Sequence, residues 1–168
     1  MISRMKKFLA FPLAPLTLLA LLLWTVQGVG LTLVRVKGPS MVPSYADGQV
    51  LFVNRLAYGL QGPIIGHYLW MWKAPTVGDP VVVRKPDGQW VVKRIAGLSG
   101  MPIKVAGHTL EMGAREVPLS PAQEYWLSSC GTVPGGSVFV LGDNTDRSQD
   151  SRDWGFVSVS DVLGRAFF

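Results

Sequence analysis

A long uncharged run near the amino terminus sets the strongest constraint on how this chain can fold. Residues 8–34 contain no charged side chain, and three basic residues lie just before them, at positions 4, 6 and 7. Folded as a helix, residues 13–34 would extend about 33 Å, which is enough to cross the hydrocarbon core of a bilayer. The run therefore predicts a transmembrane helix, and it contributes to the 48% hydrophobic content of the 168 residues.

A cleavable signal peptide is the alternative interpretation of this segment, because basic residues followed by an apolar core occur in both. The apolar run is longer than a signal-peptide core needs, and "VQGVG" (26–30) is a poor cleavage site. We therefore expect residues 1–34 to be kept as a cytoplasmic stub and membrane anchor. The basic residues before the run predict a cytoplasmic amino terminus and an extracytoplasmic domain at 35–168.

The charge of the chain gives no sign of a nucleic-acid partner. The net charge is +5, from 16 basic and 11 acidic residues, and 16 − 3 = 13 basic residues remain when those before the apolar run are set aside. Thirteen basic against 11 acidic residues provide no strongly basic surface, so we expect no nucleic-acid binding. Cys130 is the only cysteine, so the chain cannot form an internal disulfide.

After the apolar run, the sequence has the pattern of one mainly β domain. Short valine-rich runs bounded by Gly, Pro, Asp and Asn predict strands at 50–54, 80–85, 89–95 and 137–141. Between the second and third of these, Asp87-Gly88 predicts a β-hairpin, because both residues tolerate the positive backbone angles of a tight turn. We expect no long amphipathic helix.

Residues 58–75 differ from the strands around them, because they are apolar, aromatic and rich in glycine. We expect this segment to be a packed excursion that covers a sheet edge. A loop that lies on a membrane surface or grips a substrate is the alternative.

A serine stands in a stiffened bend soon after the apolar run. Pro39 fixes its own backbone and Pro43 restricts the residue before it, so Ser40 and Met41 are held between two rigid positions. A stiff bend suits a hydroxyl whose direction must be fixed, such as that of a nucleophile. Ordinary turn formation explains an isolated Ser-Met equally well, so the rest of the chain must decide between the two.

A lysine in the second strand of the predicted hairpin has apolar neighbours. Side chains alternate along a strand, so Lys93 shares a face with Val91 and Ile95, whereas Val92 and Arg94 lie on the other face. Burial among aliphatic groups would disfavour the ammonium and lower the pKa of Lys93. The resulting neutral amine could take a proton from a weak nucleophile such as serine, although a solvated surface lysine is the alternative.

Residues 141–157 place four aspartates close together but do not fit a calcium loop. Thr145 and Arg147 occupy two of the positions that oxygen ligands would need, so we predict no metal and no cofactor. Asp143 and Asn144 instead predict a rigid turn after strand 137–141, because Asp and Asn bind their own backbone.

The end of the same segment holds a candidate ion pair. Asp150 and Arg152, separated by one residue, can point to the same side and hold the loop in place. Ser148 is a small hydroxyl that could orient a lysine amine.

Three segments resemble, in this order, the conserved boxes of type I signal peptidases, the membrane-anchored Ser/Lys proteases. They are "GPSMVPS" (38–44), "GDPVVVR…VVKRIAGLSG" (78–100) and "GDNTDRSQDSRDWGFV" (142–157). Ser-Met-x-Pro alone is a weak signal. Joined to the other two boxes and to an amino-terminal anchor, it is specific.

The resemblance implies a role for each matching position. Ser40 corresponds to the nucleophile, Lys93 to the general base, and Ser148 to the hydroxyl that orients the lysine. Asp150 and Arg152 correspond to the supporting ion pair. The remaining positions are the supporting residues Asp143 and Asn144 and the residues expected around the oxyanion and substrate pocket, which are Gly38, Val36, Met41, Tyr45 and Val92.

The resemblance also implies a fold and an activity. The fold is mainly β, with an N-terminal transmembrane helix followed by a signal-peptidase-like antiparallel β-sheet catalytic domain. The activity is a serine endopeptidase that removes signal peptides from exported preproteins after small residues at −1 and −3. The implied location is the bacterial inner (cytoplasmic) membrane, crossed once, with the lipid bilayer and preprotein signal peptides as partners.

The chain departs from the family pattern at three places. Gly38 stands where some members carry a serine that donates to the oxyanion, Thr145 stands where an arginine is usual, and "GLSGM" (97–101) replaces a common Gly-Leu-Pro-Gly-Asp. Because residues before proline favour extended angles that serine can adopt, we expect Gly38→Ser to leave turnover unchanged or to raise it.

Three other functions fit parts of the same pattern. A self-cleaving repressor-type protein shares the Ser/Lys pair but would carry a DNA-binding helical domain in place of the apolar run. A pilin-processing peptidase of conjugation systems differs only in its substrate. An inactive, anchored β module that binds peptides would not need to keep both Ser40 and Lys93.

Overall fold

The computed structural model describes residues 15, 17, 18, 30–62 and 67–168. The predicted anchor at 1–34 lies almost entirely outside these residues. Within them, we find no helix with the length and apolar character that a membrane crossing requires. From residue 30 onward, the described chain is mainly β, with all of its paired strands antiparallel.

Twelve strands and two short α-helices follow residue 30 in the described chain. The strands are β1 (Leu31–Arg35), β2 (Val50–Asn54), β3 (Gly59–Gln61), β4 (Tyr68–Met71), β5 (Pro80–Arg84), β6 (Trp90–Leu98), β7 (Lys104–Ala106), β8 (Thr109–Met112), β9 (Arg115–Pro118), β10 (Ser137–Leu141), β11 (Val157–Ser158) and β12 (Val162–Phe167). The helices are α1 (Pro121–Ser128) and α2 (Ser151–Trp154).

Seven of the strands form the main sheet, in the order β1-β2-β12-β5-β6-β10-β11. A hairpin of β3 and β4 and a three-stranded sheet of β7, β8 and β9 complete the β structure described. The order places the last strand, β12, between β2 and β5. It also places β6 between β5 and β10, in the interior of the sheet.

The four strands predicted from valine-rich runs are confirmed. Strands β2 and β10 have the predicted bounds, β5 ends one residue early at Arg84, and β6 continues past residue 95 to Leu98. The predicted hairpin joins β5 to β6, closed by a hydrogen bond from the Lys85 N–H to the Gln89 carbonyl at 2.8 Å. The match follows from the local character of these signals, because period-2 burial and a Gly-containing turn need no distant contacts.

Strand β1 begins inside the range assigned to the anchor. Residues 31–34 pair with β2 instead of ending a transmembrane helix, with Leu31 opposite Asn54 and Val34 opposite Leu51. A continuous apolar run does not distinguish a strand from a helix by its periodicity, which explains the difference.

Both faces of the main sheet are covered at its central strand β5. In β5, Val82 is fully buried in one apolar cluster, whereas Val81 and Val83 are fully buried in another on the opposite face. A third cluster joins the β7-β8-β9 sheet and α1 to β10, with Leu110, Leu127 and Phe139 among its buried members. The result is a rigid frame around the central strands.

In the segment 58–75, some residues pack against the main sheet and others are exposed to solvent. Tyr58 is buried, and the side chains of Gln61 and Tyr68 donate hydrogen bonds to the Val162 carbonyl at 2.7 and 2.9 Å. The hairpin β3-β4 is therefore tied to the start of β12, which is an interior strand of the main sheet and not one of the edge strands that the segment was expected to cover. Its outer residues remain exposed, and Trp70 keeps 70% of its surface accessible.

Candidate active site

Ser40 lies in a short 3-10 turn, Pro39–Met41, that is fixed at both ends. Met41 is fully buried beneath the turn, and the Val42 N–H donates to the Pro39 carbonyl. The Ser40 carbonyl accepts a hydrogen bond from the Asn144 N–H at 3.0 Å. The turn also packs on strand β6, which carries Lys93. The stiff bend predicted around Ser40 is thus anchored to the two other candidate segments.

Lys93 is buried, as its apolar neighbours predicted. Only 3% of the residue is exposed, and its amine donates to the Ser148 hydroxyl oxygen at 2.9 Å. Burial disfavours the ammonium and lowers the pKa of Lys93 to about 8, with the charge of Arg152 acting in the same direction and that of Asp150 opposing it. A large fraction of this lysine is therefore a neutral amine at mildly alkaline pH.

Gly142 brings Ser148 and the Ser40 turn together. A methyl group added at Gly142 would collide with the Ser148 side chain on one side and would lie 2.6 Å from the Ser40 carbonyl oxygen on the other. Only glycine leaves room for both at this position. Gly142 therefore allows Ser148, which accepts a hydrogen bond from the Lys93 amine, to lie close to the backbone of Ser40.

The predicted pair of Asp150 and Arg152 is buried and saturated with hydrogen bonds. Neither residue is more than 3% exposed, and the Arg152 Nε donates to Asp150 Oδ1 at 2.9 Å. Asp150 also accepts from the Gly142 N–H at 3.0 Å, and it begins helix α2 as its N-cap. The guanidinium reaches the Thr145 and Ser148 carbonyls at 2.8 and 3.3 Å. The pair therefore holds the loop that carries Ser148.

Asp143 holds a second ion pair that the sequence did not indicate. Its carboxylate accepts two bonds from Arg94, at 2.8 and 2.6 Å, and a third from Arg115 at 3.1 Å. Arg94 also reaches the Ser44 hydroxyl at 3.3 Å. The hydrogen bonds from these arginines help to keep the pKa of Asp143 below its usual value, against the opposing effect of burial. The turn predicted at Asp143 and Asn144 is thus tied to β6.

A cleft of about 860 Å³ contains both Ser40 and Lys93 in its lining. Gly38, Val36 and Val92 line it, as the family pattern implied. Its lining also includes residues that sequence analysis did not select, among them Trp90, Arg147 and Gln149.

Two predicted pocket residues lie elsewhere. Met41 is fully buried in the apolar cluster below the Ser40 turn, where it supports the turn. Tyr45 packs in the same cluster and lines another cavity, together with Arg165 and Phe168. Their buried positions follow from the sequence pattern, since both are large apolar or aromatic residues in a segment with few other core residues.

The backbone at Gly38 contradicts the reason given for tolerating serine there. Gly38 has φ 78° and ψ 173°, a conformation that is essentially restricted to glycine. Its N–H donates to Asp47 Oδ1 at 2.8 Å, which fixes this conformation. The expectation that serine could adopt the required angles is therefore wrong, and Gly38 has a backbone role in shaping the Ser40 turn.

Comparison with known proteins gives consistent similarities. The family model described as "Signal peptidase, peptidase S26" matches residues 9–168. The chain is 32% identical over 142 residues to the probable signal peptidase I-1 of Synechocystis sp., covering 77% of this chain but 65% of that relative. It is 32% identical over 149 residues to signal peptidase I of Bacillus caldolyticus, covering 79% of this chain and 75% of that relative.

A solved structure is also similar in part. The crystal structure of a signal peptidase I from Enterococcus faecalis aligns with a TM-score of 0.41 at 30% sequence identity. The alignment covers 55% of this chain and 97% of that chain.

Proposed function

The chain belongs to the signal peptidase family, peptidase S26, and on this premise we propose that it is a membrane-anchored serine endopeptidase that removes signal peptides from exported preproteins. One observation carries the proposal. A buried lysine with a lowered pKa contacts Ser148 and lines the same cleft as Ser40. These properties support a Ser/Lys dyad, because the base must be able to lose its proton and must lie in the same site as the nucleophile.

In the proposed mechanism, Ser40 is the nucleophile and Lys93 is the general base. The neutral Lys93 amine takes the Ser40 hydroxyl proton while Oγ attacks the scissile carbonyl, and the Ser40 N–H with a second donor stabilises the oxyanion. Lys93 then gives its proton to the leaving amine, which leaves an acyl group on Ser40. A water molecule loses a proton to Lys93, attacks the acyl carbonyl and releases the signal peptide as a carboxylate, and the proton returns to Ser40.

The supporting residues act on the position of Lys93 and Ser40. Ser148 accepts a hydrogen bond from the lysine amine, and in the proposed dyad this bond orients the amine toward Ser40. Asp150 and Arg152 hold Ser148, and Asp143 and Asn144 hold the Ser40 turn against β6. Positioning of this kind converts an encounter between side chains into an intramolecular reaction.

The proposed substrates are preproteins with small residues at −1 and −3 before the scissile bond. Val36 and Val92 line the cleft, and we propose that they limit the space for the −1 and −3 side chains. We further propose that the residues before β1 anchor the chain once in the bacterial inner membrane, with a cytoplasmic amino terminus. A shared bilayer brings the enzyme and the end of a signal peptide to the same depth.

The test is cleavage of a preprotein by detergent-solubilised full-length protein. We expect wild type to release the mature protein and Ser40→Ala to release none while unfolding at the same temperature. Cleavage at an equal rate by the folded Ser40→Ala variant would overturn the proposal. Release of signal peptide by neither protein would favour a peptide-binding module.

A further inference from the structure

The charged residues that line the cleft are all basic. They are Arg35, Lys37, Lys85 and Arg147, together with Lys93, which acts as a neutral amine in the proposed mechanism. No Asp or Glu occurs in the cleft lining of the described residues. A concave site with charges of one sign raises the local concentration of groups with the opposite sign. The cleft therefore favours a peptide with a carboxylate over one with an ammonium.

Among these cations, Arg147 is placed to act next to the scissile bond. It precedes Ser148, whose hydroxyl contacts Lys93, and it ends the 3-10 turn Thr145–Arg147. This turn packs against the Ser40 turn. The Arg147 side chain is exposed, and the described residues offer it no ion-pair partner, whereas Lys85 is already paired with Asp87 at 2.9 Å.

The lining of the cleft indicates which part of a substrate meets Arg147. Most of the lining comes from residues 33–40 and 89–93, and these two stretches end at Ser40 and Lys93. If the residues before the scissile bond carry the recognition, they lie along these two stretches. The residues after the bond then leave the cleft past Arg147 and Gln149. This placement of the substrate depends on the proposed function.

We infer that Arg147 is a specificity-determining residue that selects preproteins with an acidic side chain at the first or second position after the scissile bond. The guanidinium would pair with that carboxylate without taking part in the chemistry. Because the pair is exposed to solvent, the expected preference is modest, about threefold to fivefold in kcat/KM. It should shrink as salt is added, since exposed charges are screened.

The experiment compares three peptides that differ only in the two residues after an Ala-x-Ala site, which are Glu-Glu, Gln-Gln or Lys-Lys. Full-length wild type in detergent should cleave them with kcat/KM in the order Glu-Glu, Gln-Gln, Lys-Lys. Arg147→Glu should lose or reverse this order. The matched control is Arg84→Glu, which makes the same change of charge at an exposed position of β5 outside the cleft lining, and it should keep the wild-type order.

The possible results separate this inference from the proposed function. Ser40-dependent cleavage of all three peptides at equal rates would overturn the role of Arg147 and leave the proposed function standing. The role of Arg147 would also be overturned if Arg147→Glu kept the wild-type order of the three peptides, or if both Arg147→Glu and Arg84→Glu lost it. If wild type cleaves no peptide, the proposed function fails and this inference fails with it.

Discussion

At the scale of single residues, the site depends on what the fold does to a lysine. An exposed lysine would be almost fully protonated at neutral pH and could not act as a base. Burial beneath the cleft lowers the pKa of Lys93 to about 8, and Ser148 fixes the direction of the amine. The fold thus makes Lys93, the proposed base, easier to deprotonate than an exposed lysine.

The rate of cleavage should rise with pH as Lys93 loses its proton. The base is the neutral amine, so kcat/KM should increase through pH 8 and be about a hundredfold lower at pH 6 than on its plateau. Lys93→Arg should be inactive at every pH, because a guanidinium remains charged. The measurement is kcat/KM against pH for a peptide without titratable side chains. A flat profile from pH 6 to 9, or activity in a folded Lys93→Arg variant, would contradict the assignment of Lys93.

Gly38→Ser should be destabilising, in contrast to the expectation from sequence. A side chain at φ 78° and ψ 173° is strained by about 1–3 kcal/mol, even though the space beside Gly38 is open. We expect a lower free energy of unfolding and lower turnover. Gly38→Ala is the matched control, because it carries the same backbone strain without the hydroxyl. Wild-type stability in both variants would show that the turn does not need a positive φ.

At the scale of elements, the structure depends on loops that are tied to strands by buried charges. The third box contributes Asp143 to a network on β6, and Asp150 and Arg152 to a pair that reaches β9 through the Pro118 carbonyl. The Ser151 hydroxyl oxygen accepts a hydrogen bond from the Val140 N–H at 3.0 Å, next to the irregular pairing of β10 with β6. A loop held at this many points can keep Ser148 in a fixed position.

Substituting only one member of the pair of Asp150 and Arg152 should lower the free energy of unfolding more than substituting both. Arg152→Met or Asp150→Ala leaves one buried charge without its partner, which typically costs about 3–5 kcal/mol. The double variant should lose less stability than the sum of the losses in the two single variants. Arg94→Met is a useful comparison, because Asp143 keeps Arg115 and the pair is partly exposed. Denaturant unfolding measures all four, and additive losses in the double variant would contradict the coupling.

Local signals and distant contacts account for what the sequence did and did not predict at this scale. Strands such as β2 and β10, and the β5-β6 hairpin, follow from short patterns that a few residues define. The contact between Arg94 and Asp143 joins residues 49 positions apart, so no local pattern indicates it. The backbone of Gly38 is set in part by its bond to Asp47, which is also invisible in a short motif.

At the scale of the whole molecule, the catalytic domain begins earlier than the end of the apolar run suggests. Strand β1 forms the edge of the main sheet, and Val36 after it is buried with Leu51 and Val92. The first residues after the predicted membrane segment are therefore part of the cleft wall. Such a short connection would keep the cleft close to the bilayer surface.

Two truncated chains should separate anchoring from folding. A chain of residues 30–168 keeps β1, so we expect it to retain the fold and to cleave a soluble peptide in detergent, but to bind lipid vesicles more weakly than the full chain.

A chain of residues 37–168 loses β1 and Val36, which leaves the β2 edge unpaired and exposes the apolar cluster around Leu51. We expect it to be less stable by several kcal/mol, since burying each large aliphatic side chain contributes about 1.5–3 kcal/mol. Vesicle co-sedimentation and denaturant unfolding provide the two measurements. Equal vesicle binding by the full chain and residues 30–168 would contradict the anchor, and equal stability of the two truncated chains would contradict the role of β1.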